Sequence, residues 1–346
     1  MNETPIKVGI SGLGRSGWGL HVAALGRVQG LFEITAVFDP DPVRQQEARA
    51  QLGCRAYGSY AELLADSDIE LMVVASPSPH HADDTIAALE AGKHVLVEKP
   101  MATTLADIDR MIEAAEKNGR LLTVNQNYRY AADFLKIKEV VASGVLGDLL
   151  LIRLAQHQFR RRWDWQTLTE FGGGILNNHG AHYVDWALAL IDDPEPELLA
   201  HLVDTPLYAG DADSHAKVIL RPKTGPLVDI ELTHACAFPQ QTAVIMGTQG
   251  TLSSTREEVR WKYYKPDEVP PLVLDRQPTP DRSYNAENLP MWEESYRPVL
   301  DMRGEIAQLY RDLYQTIRHA APLAITPQSV RRLMAVLAAC RKYGAD

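Results

Sequence analysis

Compact apolar runs alternate with longer amphipathic ones along roughly the first 125 residues, the pattern of strands and helices taken in turn. "IKVGIS" predicts a first strand, and residues 17–29 predict the helix after it. "FEITAVFD" predicts a second strand, and "PVRQQEARAQLG" a charged helix stopped at Gly53. "LMVVASP" and "HVLVEK" read as further strands, each followed by a helical run, "HHADDTIAALEAG" and "TLADIDRMIEAAEKNG". "LLTVNQNY" closes the series as another strand. Apolar strands separated by helices imply a parallel sheet covered on both faces, an α/β domain over residues 1–125.

The period changes after Tyr130. One helix, "DFLKIKEVVASG", leads to a strand-like "DLLLIRLAQHQF", and a second helix is expected around residues 178–191. Then "HAKVILRP", "LVDIELTHA", "TAVIMGTQGTLSS" and "EVRWKYYK" follow one another with turn signals between them. Strands in succession without helices predict a mainly antiparallel sheet, hence an α+β domain over 126–346. Residues 265–298 carry many prolines and polar residues and are expected as an irregular loop. A capped amphipathic helix at about 326–343 ends the pattern and is free to pack back on the first domain. No internal repeat is visible.

Composition narrows the function classes. The chain has 346 residues and a formal net charge of −10, which argues against a nucleic-acid backbone as partner. Three widely spaced cysteines support neither a disulfide framework nor a zinc ribbon. No signal-peptide pattern and no apolar run of spanning length is found, so the expectation is a cytoplasmic protein without a membrane partner.

The strongest local signal is "VGISGLGRSG". Gly12-x-Gly14-x-x-Gly17 follows a predicted strand and opens a helix, where it would make the tight turn, admit a pyrophosphate and let helix and strand pack closely. The helix start offers its unpaired amides to the anion. Asp39 ends the second strand 22 residues after Gly17, the place of an acid that binds the adenosine ribose of NAD and repels the 2′-phosphate of NADP. Arg15 and Arg44 keep NADP open.

"GGGILNNHGAHYVDW" poses a second question. At about 100° per residue, Asn178, His182 and Asp185 share one helix face within roughly 60°, whereas His179 and Asp185 stand about 120° apart. A metal held by His179, His182 and Asp185 is therefore disfavoured, and no metal is expected. Histidine titrates in the range useful for proton transfer, so His182 is the preferred general base, with Asn178 as a hydrogen-bonding group and Asp185 as a candidate to orient His182. Gly172 to Gly174 would let backbone approach a ligand or move.

Glu98-Lys99-Pro100 in "VLVEKPM" resembles the E-K-P motif of the Gfo/Idh/MocA oxidoreductases, the family of glucose–fructose oxidoreductase and inositol dehydrogenase. "ASPSPHHADDTIAALEAGKHVLVEKP" is similar to the family's T-P-x-x-x-H stretch at Ser76, Pro77 and His81. "GGGILNNHGAHYVD" resembles its glycine-rich helix, and "GTQGTL" its G-T-x-G strand turn. The resemblance covers nearly the whole chain and implies a Rossmann domain followed by an open-faced, mainly antiparallel sheet domain used for dimer or tetramer assembly. It implies that Lys99 polarises the substrate oxygen or shuttles its proton, that His182 is catalytic, and that Ser76, Pro77, His81 and Glu98 border the cofactor. It departs at Asn178, where many members carry Asp, so that a carboxylate's charge and proton capacity are missing. Tyr128, His157, Arg161, Trp163, Trp165 and His179 are the substrate candidates. The activity implied is NAD-dependent oxidation of a secondary alcohol of a sugar, glycoside or cyclitol. The alternatives are net non-redox glycoside chemistry with retained NAD, and a non-catalytic sugar or nucleotide sensor.

Overall fold

A computed structural model of the chain describes residues 4–193 and 195–343. β1 (Ile6–Ser11) runs into a π-helical turn, Gly17–Val22, and a short α1 (Ala23–Leu25). The helix expected over 17–29 is thus wound widely at first and ends early. β2 (Phe32–Phe38), α2 (Pro42–Leu52), β3 (Arg55–Ala56), α3 (Tyr60–Ala65) and β4 (Leu71–Val74) follow. α4 (His81–Glu90), β5 (His94–Val97), α5 (Leu105–Asn118) and β6 (Leu122–Val124) complete this half. The strands form one parallel sheet in the order β3-β2-β1-β4-β5-β6. β4 is buried at all four positions, as a strand covered on both faces must be. The strand order reverses between β1 and β4, where a doubly wound sheet opens its ligand crevice.

α6 (Ala132–Ala142) leads to β7 (Leu149–His157), then α7 (Ala181–Leu190) and β8 (Glu197–Val203). β9 (His215–Arg221), β10 (Leu227–Thr233), β11 (Ala243–Gly247), β12 (Gly250–Ser254), β13 (Val259–Tyr263) and β14 (Trp292–Tyr296) complete an eight-stranded sheet. Its order is β14-β13-β12-β11-β7-β10-β9-β8, antiparallel except where β7 lies parallel to β10. On β7 and β10, Ile152, Leu154, Val228, Ile230 and Leu232 are fully buried. The alternate positions carry the polar pairs Arg153–Asp229 and His157–Glu231 on the other face. The stretch 265–298 is mostly irregular as expected, but its end forms the edge strand β14.

α8 (Met302–His319) and α9 (Pro327–Tyr343) close the chain. α8 packs on α1, and α9 packs on α5 and β6 of the parallel sheet as well as on α7 and β8. Thr123 of β6 donates from its hydroxyl to Ile325 O at 2.8 Å, so the last segment joins the two sheets. No described helix is long and apolar enough to cross a membrane.

Candidate active site

The glycine turn has the shape its spacing requires. Gly12 has φ +91°, and a Cβ there would fall 2.6 Å from Ala75 C. A Cβ on Gly17 would lie 2.9 Å from Gly12 C and closer still to Gly12 O, so helix and turn can meet only without side chains. Gly14 differs: an added Cβ meets nothing nearer than Arg44 Nη1 at 3.9 Å. The space above Gly14 is open, a cradle that fits a pyrophosphate against the helix start. Asp39 is buried; its Oδ2 accepts from Leu13 N at 2.7 Å and faces Arg44 Nη1 at 3.4 Å. It therefore braces the turn as well as ending β2.

β5 delivers Glu98 and Lys99 to the carboxyl edge of this sheet. Glu98 is buried, and its Oε1 accepts from His21 at 2.9 Å and from Asn125 Nδ2 at 2.8 Å. The other nitrogen of His21 lies 2.8 Å from the hydroxyl of Tyr310 on α8. Burial alone would raise the Glu98 pKa, but the His21 hydrogen bond and charge, with Asn125 and Lys99, hold it down at about 2. A fixed anion thus stands beside Lys99. His81 is buried with its ring nitrogens 2.7 Å from Pro100 O and 2.8 Å from Ser76 O. Burial pushes its pKa down, and a neutral ring donates from one nitrogen only, so it bonds one of these carbonyls at a time. Ser76 donates to Asp84 Oδ2 at 2.6 Å, and Pro77 lies at the start of a short 3-10 turn.

Lys99 Nζ donates to the Asn178 backbone oxygen at 3.1 Å and to its Oδ1 at 3.3 Å. Burial lowers the Lys99 pKa to about 8; Glu98 opposes that shift, while Arg15 and Arg162 add to it. The Asn178 amide is oriented from its other end, because Nδ2 donates to Gln166 Oε1 at 3.1 Å and Arg162 Nη2 holds the same oxygen at 2.7 Å. Leu176–Gly180 is wound as a π-helix before α7 begins, so the uniform 100° step does not apply there. The wider winding brings His179 to the same site: its ring lies 5.6 Å from that of His234, whose Nδ1 lies 2.8 Å from the Tyr208 hydroxyl. Burial, then Lys99 and the neighbouring cations, push His179 down to about 3. His234 falls to about 4 by burial, with Arg162 and Arg160.

His182 is buried and stacked on Tyr128, with centroids 3.8 Å apart. Burial drives its pKa well below the ordinary value, helped by Lys99, His179 and Arg256. Asp185 does not orient it. Arg129 takes the Asp185 carboxylate in a two-pronged pair, Nε at 2.8 Å and Nη2 at 2.6 Å, and His182 Nδ1 has no hydrogen-bond partner among the described residues. Among the described residues no group of three or more His, Cys, Asp or Glu is placed to hold a metal.

The remaining substrate candidates divide. His157 is enclosed on β7, with Glu231 at 3.1 Å and Gln240 N at 3.2 Å, and none of its polar contacts is to Lys99, Asn178 or His182. Trp163 is 79% and Trp165 46% exposed, so neither is a core tryptophan. Trp165 meets Phe171 edge-on at 6.1 Å, and Arg161 is exposed on the same loop. Sequence reasoning missed Gln166, His234, Tyr208, His21, Tyr310 and Arg256, which come from distant segments and carry no shared motif.

Residues 6–126 match the model of the oxidoreductase family with an NAD-binding Rossmann fold, and residues 134–253 match the GFO/IDH/MocA C-terminal domain. The chain belongs to the Gfo/Idh/MocA oxidoreductase family. Among its Gfo/Idh/MocA relatives, the myo-inositol 2-dehydrogenase of Thermotoga maritima is 31% identical over 71% of this chain and 74% of its own. The scyllo-inositol 2-dehydrogenase (NADP(+)) of Bacillus subtilis is 32% identical over 55% of this chain and 53% of its own. The chain spans about half the length, 53%, of the first curated relatives it matches, two uncharacterized oxidoreductases of Schizosaccharomyces pombe. The fold is shared with the WlbA dehydrogenase from Bordetella pertussis, solved in complex with NADH and UDP-GlcNAcA. That match has a TM-score of 0.80 and 22% identity, covering 99% of this chain and 97% of the other.

Proposed function

We propose that the protein oxidises a secondary alcohol of a sugar, glycoside or cyclitol, with NAD as the hydride acceptor. The observation that carries this reading is the meeting of Lys99, Asn178 and His182 at the carboxyl edge of the parallel sheet, with Lys99 Nζ 3.1 Å from Asn178 O. Bound NAD supplies the acceptor for the hydride that leaves the alcohol carbon. The protein must then take the hydroxyl proton. Lys99, with a pKa near 8, is the group whose neutral form is accessible close to neutral pH. His182 is the less suitable base, because its buried ring resists taking a proton. It serves instead as a neutral hydrogen-bonding partner for the substrate hydroxyl. That reverses the roles expected from side-chain chemistry alone, and desolvation is the reason.

Asn178 contributes a fixed dipole in place of a charge, with Gln166 setting which way the amide faces. The exposed Trp163 and Trp165 offer flat apolar faces for a sugar ring at the rim. The buried acid at Asp39 favours NAD over NADP. The relatives named for inositol support the cyclitol end of the substrate range, and the WlbA structure, with its bound UDP-GlcNAcA, the sugar end. NAD reduction against a panel of inositols, sugars and glycosides tests the proposal. Turnover with one class identifies it, whereas nicotinamide that stays bound without accumulating NADH would point to net non-redox chemistry.

A further inference from the structure

A histidine beside reacting groups is usually held by a hydrogen bond from one ring nitrogen to a carboxylate or carbonyl. Here Nδ1 of His182 has no such partner, and the nearest acid along the helix, Asp185, is taken by Arg129. Something else must fix the ring. Tyr128 stacks on it at 3.8 Å with planes 19° from parallel. The guanidinium carbon of Arg256 lies 4.6 Å from the centre of that same Tyr128 ring and 5.8 Å from Trp186. Arg256 is anchored in turn, donating from Nε at 3.2 Å to Asp133 Oδ2, a carboxylate with no exposed surface.

The turn between β12 and β13 holds Arg256 at φ +74°, a left-handed conformation uncommon for a residue with a side chain. A bulky residue is placed there at some backbone cost, and its side chain points into a buried pocket. We infer that Arg256 and Tyr128 are positioning residues for His182, a stack anchored on Asp133 that fixes the plane of the imidazole beside Lys99.

The electrostatics agree with the geometry. A cation against the face of Tyr128 is attracted by the ring's quadrupole, which holds the stack together. The titratable and charged groups that act on His182 are Lys99, His179 and Arg256, and each opposes its protonation. Asp133 of α6 and Glu305 of α8 face Arg256. Burial pushes both carboxyls up, Glu305 to about 7, and Arg256 pulls both down; Asp133 is the firm partner because it accepts from Arg256 Nε at 3.2 Å.

The inference rests on the site assignment proposed above, and its test reads His182 without needing turnover. Histidines labelled with carbon-13 at Cε1 are followed by NMR, the His182 signal being identified by its loss in His182→Asn. In the wild type the signal should be displaced upfield by the Tyr128 ring and should not titrate between about pH 5.5 and 9. Tyr128→Leu should abolish the upfield displacement. The double variant Asp133→Asn/Arg256→Gln removes the buried pair as a unit and so leaves no orphaned charge to unfold the protein. It should reduce the upfield displacement of the His182 signal, because Tyr128 loses the cation that holds its ring in place, and lower turnover about tenfold, with NADH affinity within twofold of wild type. A His182 signal identical to wild type in both variants, with folding verified by thermal melting, would overturn the inference. So would a changed signal with unchanged turnover, because a stack that steers nothing is only packing. Wild-type protein inactive across the whole panel would count against the assigned chemistry instead.

Discussion

The glycine turn yields a paired prediction in which fold and cofactor affinity separate. In Gly17→Ala the new methyl would lie 2.9 Å from Gly12 C and closer to its oxygen. Gly12 cannot retreat, because its φ of +91° and its approach to Ala75 and Ser76 leave it no room. Overpacking of this kind costs about 1–3 kcal/mol, and a rigid backbone neighbour puts it at the upper end. At roughly 2–4 °C per kcal/mol, the melting temperature should fall by about 6–12 °C. Gly14→Ala is the contrast, since its methyl meets nothing within 3.8 Å of the fold. It should melt within about 1 °C of wild type and yet bind NADH about 10–100-fold more weakly, a loss of roughly 1.4–2.8 kcal/mol from one methyl in the pyrophosphate's path. Thermal melting and NADH fluorescence titration read the two effects. Equal NADH affinity in Gly14→Ala and wild type would refute the placement of the cofactor, and an unchanged melting temperature in Gly17→Ala would refute the packing argument.

Three further outcomes follow from the site. Because burial holds the Lys99 pKa near 8, kcat/KM for alcohol oxidation should rise with pH through about 8 and then level, as its neutral form takes over; a pH–rate profile checks this, and Lys99→Arg should remove the limb. Asn178→Asp places a carboxylate at the position now 3.3 Å from Lys99 Nζ, which favours the charged amine, so the same limb should move to higher pH. Asp185→Ala strips Arg129 of its buried partner and should cost about 3 kcal/mol in a denaturant titration, while leaving the His182 signal where it was.

Much of the fold is legible along the chain because its main elements bury one pattern each. β1, β4 and β5 are short apolar runs, and α5 carries buried Ile108, Met111, Ala114 and Ala115 at helical spacing. β3 is two residues long and α3 six, too short for a periodic signal, and neither is assigned from the sequence. α8 is a different case. Ile306, Leu309, Tyr310 and Leu313 recur at helical spacing, but Asp301 makes no side-chain cap and the helix follows a Pro-rich stretch without a start signal. β8 and β14 are missed because edge strands alternate weakly, and β14 is exposed throughout. The parallel pairing of β7 with β10 depends on a long connection that no local pattern encodes.

The site divides in the same way. Lys99, Asn178 and His182 stand in motifs and can be found one by one. What surrounds them cannot: Glu98, next to Lys99, is held by His21, and the other nitrogen of His21 meets Tyr310, 289 positions away, only after α8 docks. The angle between His179 and the residues of α7 follows from helical phase, and the π-turn at Leu176–Gly180 alters that phase by an amount that residue counting does not supply. Asp185 shares the regular helix α7 with His182, so phase is not what separates them; its carboxylate is taken by Arg129, 56 positions earlier in the chain.

The most direct test of the account is NAD reduction by wild type and Lys99→Ala across inositols, sugars and glycosides, with NADH binding measured on both. The account predicts turnover by wild type on at least one class, a loss of about 10²–10⁴-fold in the variant, and NADH affinity retained within a few-fold. Failure of the wild type to bind either nicotinamide nucleotide, or a variant as fast as wild type, would contradict it.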